Sequence, residues 1–386
     1  MLWLYALGEK SMACDIAFLI HDFAASGVVR NAIRLSKHAE AMGLKVAFWV
    51  TINQGKLRGD ISDTIDIHEL AGPFAKSLPR RLADLLIIPA LRSKILRERP
   101  RLLFSSGNHF HLSAVLAWHL SGKPKGTQFM GRASNAMRGG LLGSIEAWKF
   151  SGMKPIIAVS LELADQLEKA GIARANIDLI ANGVDIEATQ KASLATIDDE
   201  WFSPHAPPVI LGAGRLSYQK NFSLLILAFA ELRKHMPARL MILGEGPQRE
   251  ALLKQAQGLG LEEDVRLVGH VPNPAAYYAR AGLFVLSSRW EGMSNVLIEA
   301  MAAGCPVVGV KAPTGTAELL KHGRIGPLVE ATPQALAKAM IKRLQAPRDR
   351  EILIEHAREY ELTKMLKAYE KHFLADRDHS DEPISA

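Results

Sequence analysis

Apolar and polar positions follow two rhythms along this chain, and the switches between them mark its elements. The run CDIAFLIHDF (14–23) is short and almost wholly apolar, the signature of a strand buried on both faces. Next comes ASGVVRNAIRLSKHAEAMG, a Ser-Gly turn and then apolar residues at helical spacing up to Gly43. LKVAFWV is a second strand. Strand, glycine turn, helix and strand make a βαβ unit, which predicts a parallel sheet with helices on its faces. RLLFSSG (101–107), PKGTQFM (124–130) and PIIAVS (155–160) continue the series as strands. LELADQLEKAG follows as a helix, and IDLIANGVD as a further strand and turn.

Periodicity then stops. ATIDDEWFSPHAPP (195–208) is acidic, then proline-rich, and reads as a linker. A second series begins behind it. PVILGAGRL, ARLMILGEG, VRLVGHV, LFVLSS and PVVGV read as strands, and LLILAFAELRKH, QREALLKQAQGLG, AAYYARAG and NVLIEAMAAG as helices. Two doubly wound α/β domains are expected, over 1–200 and 207–345. EHAREYELTKMLKAYEKHF is a charged amphipathic helix within a last segment, 350–374, and the acidic tail from Asp376 reads as frayed.

Composition narrows the class. The 386 residues are 48% apolar and 23% charged, as in globular proteins. The two cysteines, Cys14 and Cys305, each sit in an apolar run, so no disulfide framework exists and a reducing compartment, the cytoplasm, is expected. No run reaches the ~18 apolar residues of a membrane span. MLWLYALG is too short for one and lacks a basic flank, so it reads as an extension upstream of a second candidate start, Met12. The net charge of +7 is uneven: Lys76 to Lys154 holds fourteen Lys and Arg against three acids. Such a block points to an anionic surface or substrate.

Several chemistries are missing. No phosphate-loop motif occurs, and in its nearest approach, GCPVVGVKA, Val310 takes the place of the lysine. GAGRLS has Ser217 where a dinucleotide fingerprint has its third glycine. There is no G-x-S-x-G and no H-E-x-x-H. The DRD at 376–378 lies in the tail, and no metal site is expected.

Other features converge. LGAGRLSYQKN sets Arg215 and Lys220 in the turn between a strand and a helix. There Arg can grip two phosphate oxygens, Lys adds a point charge and the helix N-terminus adds amide dipoles. In RWEGMSNVLIEAMAAG, Ser294 or Asn295 is a good N-cap, which puts Glu291 in the loop and Glu299 on the helix. Singly, Glu291 fits compensation of the helix dipole and Glu299 a solvated helix face. Together with Arg215 and Lys220 they fit a diphosphate flanked by diols, because a carboxylate accepts two O–H donors. In the first half, ASGVVRN opens a helix directly after a strand, and SSGNHFH (105–111) ends another. Asn108, His109 and His111, with Arg132, are the candidates for an acceptor.

On these residues the sequence resembles the large family of retaining, group 1 (family 4-like) glycosyltransferases with the GT-B fold. The resemblance is carried by LIANGVD (179–185), GAGRLSYQKNFSLLILAFAEL (212–232), LMILGEGPQREAL (240–252), GHVPNPAAYYARAGLFVLSSRWEGMSNVLIEAMAAGCPVV (269–308) and TGTAELL (314–320). It implies two Rossmann-like domains facing a central cleft. The first would bind the acceptor and the second the donor, with the C-terminal helix crossing back onto the first. It implies Arg215, Lys220 and Glu291 as the catalytic set, the two cations on the diphosphate. Glu299 would hold the ribose. Glu291, Gly214 and the segment Gly292, Met293, Ser294, Asn295 and Val296 would hold the rest of the donor. Gly269, His270 and Val271 would flank the base. Ser26 and Gly27 stand where the family has a Gly-Gly loop near the phosphate. The family's histidine at the end of the fourth strand has no counterpart, since that strand ends FSSGN.

The expected activity is metal- and cofactor-independent transfer from a UDP-sugar to a lipid-linked or polysaccharide acceptor, with no nucleic-acid partner. A UDP-sugar epimerase of similar fold and a two-lobed sugar-binding protein are the rival readings. LPRRLADLLIIPALRSKILRERPR (78–101) adds a basic and an apolar face, which suits peripheral contact with an anionic leaflet on the inner side of the membrane.

Overall fold

The computed structural model describes residues 14–136, 146–313 and 315–375, apart from the side chain of Phe74. MLWLYALG, both candidate starts and the DRD tail lie outside them. The chain divides into two compact units, and each carries its own parallel sheet.

The first unit takes the chain to Ala158, then Ala164–Ile180, then the stretch from Leu366 onward. Its strands are β1 (Ile16–Ile20), β2 (Val46–Val50), β3 (Asp66–Glu69), β4 (Leu102–Ser105), β5 (Gln128–Ala133), β6 (Ile156–Ala158) and β7 (Ile177–Leu179). They lie in the order β3-β2-β1-β4-β5-β6-β7, all parallel. Between them run α1 (Gly27–Ala41), α2 (Arg80–Leu86), α3 (Ile88–Glu98), α4 (His111–Leu120) and α5 (Leu161–Lys169). Every residue of β1 and β2 is buried, which is why these strands read as unbroken apolar runs. DIHE, the edge strand β3, has no such run and was not legible. PKGTQFM becomes a strand only from Gln128, because Pro124 to Thr127 close a turn. The 78–101 segment is two helices, with Pro89 in the first turn of the second, where its missing N–H costs nothing.

The core of this unit is aromatic. Phe18 stacks edge-on against Phe104 at 5.4 Å between centroids and lies 5.5 Å from Phe48. Behind them His111, wholly buried on the first turn of α4, bonds the Ser105 hydroxyl through Nδ1 (2.7 Å) and the Arg132 carbonyl through Nε2 (3.1 Å). A carbonyl only accepts, so Nε2 carries the proton and Ser105 donates to Nδ1. This is a neutral imidazole, and burial lowers its pKa to about 3 from 6.5. The unfolded chain binds that proton first, so folding stability is intact above pH 6.5 and falls as the pH drops toward 3. The slope from this one group approaches about 1.4 kcal/mol per pH unit. Urea melts from pH 7 to 4 should show a steeper loss for the wild type than for His111→Gln; parallel curves would contradict the assignment.

The second unit takes Val159–Leu163 and Ala181–Met365. It contains α6 (Ile186–Ser193), β8 (Val209–Ala213), α7 (Phe222–Arg233), β9 (Arg239–Leu243), α8 (Arg249–Gly258) and β10 (Val265–Gly269). Then come α9 (Pro274–Arg280), β11 (Leu283–Leu286), α10 (Asn295–Ala302), β12 (Val307–Val310), α11 (Thr316–Leu319) and β13 (Leu328–Val329). The helices α12 (Pro333–Gln345), α13 (Arg350–Ala357) and α14 (Leu362–Leu374) end the described chain. The strand order is β10-β9-β8-β11-β12-β13, again all parallel. Its core gathers Phe222, Phe229 and Leu225 of α7 with Ile242 of β9 and Met340 of α12.

Two expectations shift. The division falls at Ile180/Ala181 rather than between 200 and 207, because the supposed linker is packed into the second unit. Trp201 is buried under two guanidinium groups, Arg266 at 4.1 Å and Arg239 at 5.0 Å from its ring, and Arg266 pairs with Glu200 at 2.9 Å. The charged C-terminal helix is broken at Glu361, where Val184 bonds the backbone on either side, at Tyr360 and Leu362. Of the 350–374 segment, α13 stays with the second unit, where His356 bonds the Leu319 carbonyl at 2.7 Å. α14 passes into the first unit from Leu366. There Phe373 and Tyr369 pack on Phe18 and Phe104, and Arg101 caps the carbonyls of Phe373 and Ala375.

Candidate functional site

In an open parallel sheet the strand order reverses between the first and fourth strands, and the loops leaving those two strands diverge to leave a crevice. In the second unit these are β8 and β11. Arg215 lies in the loop after β8, and Glu291 in the loop after β11.

The loop after β8 is held by glycines. Gly214 has φ +144°, and a Cβ there would lie 3.1 Å from Cε of Lys220. Its N–H bonds the Leu243 carbonyl at 2.9 Å. Gly244, at φ +137°, donates to the Gly269 carbonyl at 2.7 Å, and a Cβ on it would run into the Gly214 carbonyl. Gly246 lies equally close to the Leu216 backbone. Three strand-end loops therefore stack backbone on backbone, an approach only glycine permits. Of these glycines, sequence reasoning singled out Gly214 and Gly269 and missed Gly244 and Gly246, whose signal was the GEG that ends ARLMILGEG.

Lys220 and Glu291 meet. Nζ is 2.6 Å from Glu291 Oε1, and the Ser288 hydroxyl donates to the same oxygen at 2.5 Å. Glu291 is 5% exposed, so this is a desolvated ion pair. Among the described residues its Oε2 has no protein donor. Further bonds sew the two loops together. Gln219 donates to the Trp290 carbonyl (3.0 Å), the Arg289 N–H to Gln219 (2.8 Å) and the Ser287 hydroxyl to Lys220 (3.0 Å). Arg215, by contrast, is exposed, and among the described residues no carboxylate pairs with it. Arg289 stacks on the exposed Tyr218 ring at 4.3 Å.

The segment Gly292–Ser294 leads into α10, whose first helical residues are Asn295 and Val296. Ser294 is the N-cap by position, but its hydroxyl bonds none of the helix amides. That hydroxyl is buried with no partner among the described residues, at a helix start where free N–H groups favour an anion. Asn182 fixes the segment from the side. Its Nδ2 donates to the Met293 carbonyl (3.0 Å) and to Asn295 Oδ1 (2.7 Å). This residue, within LIANGVD, was given no role by sequence alone. On the helix, Glu299 is half-buried and lies 3.5 Å from the Tyr278 hydroxyl. Burial, and then Glu299, push the Tyr278 phenol well above its usual pKa, so it stays a neutral donor. Gly269 ends β10, and His270 beyond it is exposed and Val271 half-buried.

In the first unit the switch lies between β1 and β4. Ser26 caps α1, its hydroxyl accepting from the Val29 N–H at 3.3 Å, and Gly27 opens the helix. The serine that replaces a family glycine thus has a capping task. After β4, Asn108 Oδ1 accepts from the Ser134 N–H at 2.8 Å. His109 is exposed, and its imidazole pKa is lowered by partial burial and by Arg80 and Arg81. Arg132 is buried beside Tyr369 of α14.

Comparison with known proteins agrees with this layout. Residues 195–360 match the family model of glycosyl transferases group 1, and residues 25–188 match that of glycosyltransferase family 4. A Campylobacter jejuni relative, N-acetylgalactosamine-N,N'-diacetylbacillosaminyl-diphospho-undecaprenol 4-alpha-N-acetylgalactosaminyltransferase, is 36% identical over 170 residues, 44% of each chain. The lipopolysaccharide core biosynthesis glycosyltransferase LpsD of Rhizobium meliloti is 26% identical over 61% of this chain and 66% of its own. The matched stretch thus spans less than half of the first relative. Among solved structures, HepE of Anabaena, in complex with UDP and glucose, has a TM-score of 0.76 at 17% identity, covering 94% of this chain and all of its own (100%). WaaG, a glycosyltransferase involved in lipopolysaccharide biosynthesis, has a TM-score of 0.73 at 16% identity, covering 93% of this chain and 100% of its own. These two show the GT-B fold. With each half matched to its own model and both halves folded as Rossmann-like parallel sheets, the chain belongs to the group 1 glycosyltransferases.

Proposed function

We propose that this chain transfers a sugar from a UDP-sugar to a lipid-linked or polysaccharide acceptor, with retention at the anomeric carbon and with no metal ion. The observation that carries the reading is the desolvated Lys220–Glu291 pair at the β8/β11 switch point, beside Arg215, which among the described residues no carboxylate pairs. As the bond from the sugar C1 to the diphosphate oxygen breaks, negative charge grows on the leaving phosphate. Arg215 and the two remaining Lys220 N–H donors, the latter held in place by Glu291, meet that charge, the differential stabilisation that lowers a barrier. Glu291, with one oxygen held by Lys220 and Ser288, keeps Oε2 for hydroxyls of the donor sugar. Glu299 serves the ribose. The Campylobacter relative's name, which specifies transfer to a diphospho-undecaprenol-linked sugar, and the UDP bound by HepE support the acceptor class and the nucleotide.

Two glutamine variants separate the roles. Glu299→Gln is expected to weaken UDP binding by roughly 10-fold with little change in kcat, the scale of one charge-assisted hydrogen bond. Glu291→Gln is expected to leave UDP affinity nearly unchanged and to lower kcat on the order of 100-fold. Titrating UDP and measuring turnover of a UDP-sugar for both proteins checks this. Equal, negligible effects would remove the role assignment, and a new sugar isomer formed without acceptor would favour the epimerase.

A further inference from the structure

Sugar transfer frees one proton from the acceptor hydroxyl, and that proton needs a base. In the first unit three histidines follow β1 and β4 closely: His21, His109 and His111. Two of them are unsuited. His111 is wholly enclosed, with Nε2 donating to the Arg132 carbonyl and Nδ1 accepting from Ser105. His109 resists a second proton, because partial burial and the charges of Arg80, Arg81 and Lys149 lower its pKa against a weaker pull from Asp84.

His21 is built differently. It is the first residue past β1, at the β1/β4 switch point. Its Nδ1 lies 2.5 Å from Asp84 Oδ1 of α2, and the same oxygen accepts from the Thr51 hydroxyl, just past β2, at 2.7 Å. Asp84 is 3% exposed and Thr51 wholly buried. A carboxylate only accepts, so Nδ1 carries the proton of the neutral ring and Nε2 is a lone pair. Among the described residues Nε2 has no hydrogen-bond partner, and Asp22 Oδ2 stands 3.9 Å from it. Thr51 therefore fixes the carboxylate, the carboxylate fixes the ring's tautomer, and the basic nitrogen is left over. Desolvating a carboxylate is costly, and an apolar side chain would hold α2 to the strand ends at less cost. Once protonated, the ring has a carboxylate at each nitrogen, Asp84 from α2 and Asp22 from its own loop, with neutral Thr51 at the end of β2. Arg80 and Arg81 of α2 are exposed.

The geometry points to His21 as the general base of the transfer, with Asp84 and Thr51 as its positioning residues. Nε2 takes the acceptor O–H proton as that oxygen bonds to the sugar C1. The bond from C1 to the phosphate oxygen breaks, and its electron pair leaves with UDP. The imidazolium then gives its proton to water. The inference rests on the transfer reading and adds the residue that activates the acceptor.

Water can stand in for the acceptor, so the test follows release of UDP from UDP-glucose and from UDP-N-acetylgalactosamine. UDP affinity and melting temperature are read on the same preparations. His21→Asn sets an amide nitrogen where Nδ1 was, which keeps a donor for Asp84 and removes the base. It should lower kcat roughly 10²–10⁴-fold, with UDP affinity and melting temperature retained. Wild-type kcat should fall about 10-fold per pH unit on the acid side as His21 gains its proton, and the variant should lack that limb. Thr51→Val, which frees the carboxylate to turn, should lower kcat roughly 10-fold, and Thr51→Ser should restore it. If His21→Asn fails to fold, the wild-type profile and the two Thr51 variants decide. Wild type that releases UDP without an acid limb, or a folded His21→Asn that matches it, would overturn the base and leave the transfer reading standing. Wild type that releases no UDP from either donor would fail the transfer reading, and the inference with it.

Discussion

Arg215→Ala is expected to lower kcat by roughly 10²–10³-fold, the scale set by removing one cationic donor from a charge-developing centre. The side chain is exposed and unpaired among the described residues, so its loss removes no packing and leaves no partner stranded. The melting temperature should stay within about two degrees of wild type, as for most exposed substitutions. Arg215→Lys should recover only part of the activity, since an ammonium cannot span two phosphate oxygens. Steady-state kinetics with a UDP-sugar, alongside thermal melts of the same preparations, checks both halves. A fall in kcat with a matching fall in stability would mean that Arg215 supports the fold rather than the leaving group.

Lys220→Ala should behave differently although it removes the same charge. Its amine is 2.6 Å from Glu291, whose side chain is 7% exposed against 18% for the lysine. Truncation leaves a buried carboxylate that, among the described residues, keeps only the Ser288 hydroxyl as a donor. Losing one partner of a buried pair costs about 3–5 kcal/mol, and the partial exposure of Lys220 places the expected loss near the bottom of that range. Activity should fall at least as far as for Arg215→Ala, since the leaving phosphate and Glu291 are both affected. Combining Lys220→Met with Glu291→Gln removes the stranded charge, so stability should return most of the way while activity stays lost. Denaturant melts of the single and double variants, read as a cycle, measure the coupling. A single variant as stable as wild type would show that the pair is solvated in solution.

How much of this was legible in the sequence depends on which elements are buried. β1, β2 and β8 are enclosed on both faces and declared themselves as apolar runs. β3 is an edge strand with Ile67 as its one apolar residue and β13 has two residues, so neither carried a pattern. The 195–208 segment looked like a linker because acids and prolines have no periodicity. What holds it is Trp201 under Arg239 and Arg266, three residues far apart in the chain. The long C-terminal helix was broken by a backbone pairing to Val184, again a distant partner. At the site, Glu291 in a loop and Glu299 on a helix followed from the N-cap at Ser294, so local chemistry was enough. The Lys220–Glu291 pair, the anchoring of the loop by Asn182 and the stacking of Gly214 on Gly244 needed the fold. So did the meeting of Asp84 with His21 and Thr51.

On the transfer reading, a nucleoside diphosphate lies on the loop after β8, with its terminal phosphate on Arg215. Calorimetric titration of UDP and of UMP, each into wild type and Arg215→Ala, tests it directly. Wild type should bind UDP roughly 10–100-fold more tightly than UMP, and most of that ratio should vanish in the variant. The same ratio in both proteins, or no binding of UDP to wild type, would contradict it.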